Sequence, residues 1–132
     1  MTVLTNILTQ EPFSPEVLLG GRASPAYNLP CPQALSFGYA LSTLILENKA
    51  ARSYPSLQTL GFWLRPANLK QMIDDHFAED ALPSGIVFQI PPRNVDVLFG
   101  YNALLSLLCG NITIARLWHD MNEEQNLLIK LM

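Results

Sequence analysis

Asn94 and Arg116 are the residues of this chain whose types and positions could do chemistry. Asn94 follows a short β-branched and aromatic run, Ile86 to Ile90, after the break Pro91-Pro92-Arg93. A neutral amide at the carboxyl end of a strand can donate a hydrogen bond to a developing oxyanion. It can equally close a turn behind two prolines, a common role for asparagine. Arg116 falls near the end of a second apolar run, Ile112 to Leu117. A guanidinium there can hold a ribose or a phosphate, or can simply sit in solvent.

The other reactive types are placed less suggestively. His76 and His119 are isolated, and neither stands at ligand spacing from Cys or Glu, so no metal site is expected. Asp74-Asp75 reads as a solvated helix end. Cys109 lies in a Leu-rich stretch and reads as a small core residue, since a thiol in apolar surroundings is unreactive. Cys31, between two prolines, could be exposed, with nothing nearby to activate it. The two cysteines form no CxxC motif, and free thiols in a reducing cytoplasm are the economical reading. Neither G-x-G-x-x-G nor G-x-x-x-x-G-K is present.

Two strands and a helix must position Asn94 and Arg116. Ile86 to Ile90 is bounded by Gly85 and by Pro91-Pro92, which cannot donate to a ladder. Val97 to Leu108 is too long and too apolar around its circumference for a strand, and reads as a buried helix. Gly110 supplies a left-handed stop. Two buried strands joined by such a helix are most simply parallel, and ligands of parallel sheets sit outside the carboxyl ends of the strands. The fold class expected is α/β: a helical amino-terminal region followed by a parallel βαβ unit.

The rest of the chain divides around this unit. Residues 1–33 are rich in Pro, Gly and Ser and read as an extended arm, with an edge strand from Met1 to Leu8 and a helical turn at Pro15 to Leu19. Leu18, Leu19, Tyr27 and Leu29 give the arm something to bury. Residues 34–80 read as a helical region, with helices over Gln33 to Glu47, from Pro55, and over Ala67 to Phe77. Gly61 would let two backbones approach. Residues 85–132 hold the βαβ unit and a final helix, capped by Asp120 with Glu123 three residues on.

Composition limits the partners. The 132 residues fit one domain, 49% of them hydrophobic and only 14% charged, with net charge −3. That balance argues against sequence-independent nucleic-acid binding. No apolar window is long enough to span a membrane. The amino terminus lacks the pattern of an export leader, so a cytoplasmic location is expected. Sparse charge, and a carboxyl terminus that stops in mid-pattern, suggest a surface completed by more protein, either from the same polypeptide or from a homo-oligomer.

The stretch G-I-V-F-Q-I-P-P-R-N-V, followed by an apolar helix and L-L-C-G-N-I-T-I-A-R-L, resembles the start of the cofactor domain in the aldehyde dehydrogenase superfamily. More closely it resembles the fatty acyl-CoA reductases of bacterial bioluminescence. The pattern covers about a quarter of the chain, and G-F-W-L-R-P-A-N-L at Gly61 to Leu69 is similar to the helical region upstream. The resemblance implies the first βαβ unit of an aldehyde-dehydrogenase-like cofactor domain. It implies NADPH as cofactor, a long-chain acyl thioester as substrate and a fatty aldehyde as product. Asn94 then matches the oxyanion donor, and Arg116 the basic residue at the adenosine end of the dinucleotide. The chain departs from the pattern at Asp96, where proline is common, and at Trp118-His119, in place of Pro-Ser. The family's cysteine nucleophile would lie beyond Met132, so the chain is expected to be an amino-terminal portion without activity alone. The alternatives are a non-catalytic interaction module that docks through its apolar surface, and an unrelated small nucleotide-binding domain.

Overall fold

The computed structural model describes residues 29–132. The edge strand and helical turn expected in the arm lie outside them. Helix α1 spans Pro32–Glu47, α2 Pro55–Trp63 and α3 Pro66–His76. Strand β1 covers Ile86–Gln89, α4 Leu98–Leu108, β2 Ile112–Ala115 and α5 Glu123–Leu131. The described residues are therefore mixed α/β, mostly helical, with a two-stranded parallel sheet.

Each of the first three helices begins on a proline, whose fixed φ suits the first turn and whose missing N–H is not needed there. Between α1 and α2, Asn48 accepts from the Ala50 and Ala51 amides and starts a single 3₁₀ turn over Ala50–Ser53. The α1 residues Ala34, Gly38, Leu41, Ser42 and Ile45 form one buried stripe at helical spacing. Helix α2 lies close against this stripe at Gly61. A Cβ on Gly61 would stand 2.9 Å from an Ile45 methyl, and the Ser42 hydroxyl donates to the Gly61 carbonyl at 2.6 Å. The approach expected at Gly61 is present.

A single apolar core joins the helical half to the strand half. It holds Leu41, Ile45, Leu57, Leu60, Leu64 and Leu69 from the first three helices, with Phe99, Leu104 and Leu108 from α4 and Leu128 from α5. Burying one such side chain stabilises by about 1.5–3 kcal/mol before entropic costs.

The parallel βαβ crossover is present, with Ile86 opposite Ile112 and Gln89 opposite Ala115. Helix α4 ends on Gly110 at φ +73°, with Gly110 N–H bonded to the Leu107 carbonyl and Asn111 N–H to the Ser106 carbonyl. This pair of bonds is a Schellman cap, which requires the left-handed residue that glycine supplies. Asn111 then ties the two strand starts together by accepting from the Gly85 amide at 3.0 Å.

Three expectations need correction. Strand β1 is not buried on both faces: Ile86, Phe88 and, just past its end, Ile90 are 44%, 59% and 68% exposed. On β1, Val87 and Gln89 are the half-buried pair, so cover lies on that face. Second, β2 stops at Ala115 rather than Leu117. The ladder closes with Arg116 N–H to the Gln89 carbonyl at 2.9 Å, after which β1 turns away into prolines. Third, the last helix is capped by Asn122, not Asp120. Asn122 and Gln125 bond each other's backbone amides in a reciprocal capping box. Asp120 is engaged by Arg93 instead.

Candidate functional site

Because β1 and β2 are parallel and in register, the segments that follow them leave the sheet at the same end. Asn94 and Arg116 both follow these carboxyl ends. Asn94 sits in an exposed turn behind Pro91-Pro92, and its side chain makes no hydrogen bond to another described residue. Arg116 is anchored through its backbone to Gln89, while its exposed side chain forms no ion pair among the described residues.

Neighbouring residues hold this edge in place. The Arg93 guanidinium pairs with the Asp120 carboxylate, linking the segment after β1 to the segment after β2. One Asp96 oxygen accepts from the Asn122 amide at 2.6 Å and from the Gln125 amide at 3.0 Å. Those same two residues cap α5, so the loop after β1 is bound to the first turn of the last helix. None of these contacts could be read from sequence. Arg93 and Asp120, like Asp96 and Asn122, are distant in the chain and carry no spacing signal. His119 lies 3.9 Å from Asp120 with its side chain almost wholly in solvent, so it adds little.

The two thiols stand at the other end of the sheet. Cys109 caps the end of α4, just before β2 begins. Cys31 donates its backbone N–H to the Leu108 carbonyl at 2.9 Å, so it lies at that end as well. A four-residue strand spans about 10–13 Å, which separates both thiols from the Asn94 turn. Cys109 is half-buried and is not part of the apolar core, contrary to the expectation of a core thiol.

Elsewhere, an apolar cleft of about 240 Å³ lies between α2, α3 and α4, lined by Trp63, Asn68, Leu69, Met72 and Tyr101. The Trp63 and Tyr101 rings meet at 5.6 Å in a tilted pair, and the Arg65 guanidinium covers the Phe62 ring. Neither Asn94 nor Arg116 lines this cleft. The Tyr54 hydroxyl is pushed up by its bond to the Glu123 carboxylate, and Lys70 is pushed up by its bond to Asp74. Lys70 with Asp74 and Gln71 with Asp75 form an exposed helix face, as their sequence spacing suggests.

The edge thus offers an amide donor and a cation, both open to solvent, on a braced turn. Such groups can bind an anion or polarise a carbonyl, but the edge carries no nucleophilic thiol. Among the described residues, no group of three or more His, Cys, Asp or Glu could hold a metal ion, and no helix is long and apolar enough to cross a membrane. No family model, no curated protein and no solved structure gives a significant match to the chain.

Proposed function

We propose that this chain is the amino-terminal, cofactor-binding portion of an NADPH-dependent acyl-thioester reductase of the aldehyde-dehydrogenase type. The observation that carries the reading is the parallel βαβ crossover, with Asn94 and Arg116 following the carboxyl ends of adjacent strands. Open parallel sheets hold dinucleotides at that end. Arg116 is the cation for the cofactor's phosphate or ribose, and Asn94 is the oxyanion donor. The nucleophilic thiol comes from other polypeptide, since Cys31 and Cys109 stand at the opposite end of the sheet.

The test is titration of the protein with NADPH, followed by fluorescence. Saturable binding that Arg116→Ala weakens about tenfold, the effect of one charge-assisted bond of roughly 1.5 kcal/mol, supports the reading. Absence of binding at millimolar cofactor overturns it. NADPH consumption with a long-chain acyl-CoA is expected to be nil for residues 1–132 alone.

A second reading is favoured by a specific observation. The exposed row Ile86, Phe88 and Ile90 suits a non-catalytic module that docks on other protein. Failure to bind NADPH, together with concentration-dependent association, would select it.

A further inference from the structure

We infer that Cys31 and Cys109 are a dithiol pair, which closes an intramolecular disulfide on meeting an oxidised small thiol such as glutathione disulfide. The two residues are far apart in sequence, but their backbones run side by side. The Cys31 N–H donates to the Leu108 carbonyl at 2.9 Å. Standard bond lengths then place the two cysteine Cα atoms within about 7 Å of each other. Disulfides span roughly 4.4–6.8 Å between Cα atoms, so the backbones stand near bridging separation, and closure requires the Cys31 side chain to turn from Gln33 toward Cys109. A second contact holds the same juxtaposition. The Leu29 side chain lies so close to Gly110 that a Cβ there would be 3.0 Å from its Cδ2. Residues 29–31 and 108–110 are therefore held together from both sides.

Both cysteines are free and only half-buried, so neither is sealed in the core away from a small oxidant. The Cys31 thiol donates only to the Gln33 side-chain carbonyl, at 3.3 Å and in solvent, a weak bond that leaves the sulfur free to turn. In the reaction, one cysteine thiolate attacks glutathione disulfide, forming a mixed disulfide and expelling one glutathione thiolate. The second cysteine thiolate then attacks the protein sulfur of that mixed disulfide and expels the other glutathione. Two protein thiols are oxidised to one disulfide, one glutathione disulfide is reduced to two glutathiones, and no further reagent is needed. The product ties the start of α1 to the amino end of the sheet. It would stiffen that junction without touching Asn94 or Arg116. This inference is independent of the proposed reductase role.

The experiment is exchange of the reduced protein with glutathione disulfide at low protein concentration, quenched by acid and read by intact mass and thiol alkylation. The expected result is a monomer lighter by about 2 Da that takes up no alkylating agent, with a Cys31–Cys109 cross-linked peptide after digestion. Closure in the folded protein should be at least tenfold faster than in concentrated urea, because the fold supplies the proximity. Cys109→Ser should stop at a stable glutathione adduct on Cys31. Stable adducts on both wild-type cysteines, a disulfide-linked dimer, or equal closure rates folded and unfolded would each overturn the pairing.

Discussion

At the scale of single residues, the contrast is between side chains that hold the fold and side chains left open. Glu124 belongs to the first kind. It is buried, and its Oε1 accepts from the Ser56 hydroxyl at 2.6 Å and from the Leu57 amide at 3.1 Å. It thereby caps α2, whose own preceding residue, Tyr54, provides no side-chain cap. Glu124→Ala should cost about 2 kcal/mol, from a lost cap and an orphaned buried amide. Glu124→Gln, which keeps the acceptor oxygen, should cost less, and urea denaturation compares the two. Asn94 belongs to the second kind. Being exposed and without a bonded partner among the described residues, Asn94→Ala should change stability by less than about 0.5 kcal/mol. A larger loss in the same measurement would mean that Asn94 is a structural turn residue rather than an open donor.

At the scale of elements, two glycines do different work. Gly110 has φ +73° and a Cβ there would crowd both Leu29 and Pro83. Gly110→Ala should destabilise by about 1–2 kcal/mol from the left-handed backbone alone. Gly61 is an ordinary helical residue held against a buried, β-branched Ile45. Alanine would gain up to about 1 kcal/mol in helix propensity and lose about 1–3 kcal/mol by overpacking, so Gly61→Ala should be net destabilising. Thermal melts of the two variants, read beside Gly61→Ser, test this. If Gly61→Ala melts higher than the parent, the two helices yield more readily than the contact suggests. The helix and strand positions themselves were largely legible. Prolines at helix starts, Gly110 at a helix end and the β-branched run at Ile86 each impose a local backbone choice. The cap of α5 was harder, because D-x-x-E and N-x-x-Q stand two residues apart and both satisfy the pattern. The fold starts α5 at Glu123, where Asp96 holds Asn122 and Gln125, and leaves Asp120 to pair with Arg93.

At the scale of the whole molecule, the sheet is the unusual part. Strand β1 holds Val87 and Gln89 half-buried on one face, while Ile86, Phe88 and Ile90 stand exposed on the other. In the register, Ile86 stands opposite Ile112 and Phe88 opposite Ile114, and since both isoleucines of β2 are half-buried, the open apolar side chains belong to β1 and to Ile90 just after it. Burial of such a face is worth roughly 25 cal/mol per Å², a strong drive toward association. Sedimentation over a range of concentrations should show self-association, and Phe88→Lys should reduce it with little change in the melting temperature. A parent protein that stays monomeric at high concentration would count against the docking reading.

The chain by itself determined its helices, its strands and the parallel sense of the crossover, because proline, glycine and hydrophobic period act within a few residues. It also placed Asn94 beyond one strand end and Arg116 near the other, since a strand's end is a local event, but only the ladder left Arg116 outside β2. Tertiary structure alone decided which partners surround them. Arg93 with Asp120, Asp96 with Asn122 and Gln125, Glu124 over α2, and Cys31 beside Cys109 all join segments that periodicity treats as unrelated. So too with the open face of β1: an alternating strand and a fully buried one differ in what lies above them, and nothing within Ile86 to Ile90 encodes that neighbour.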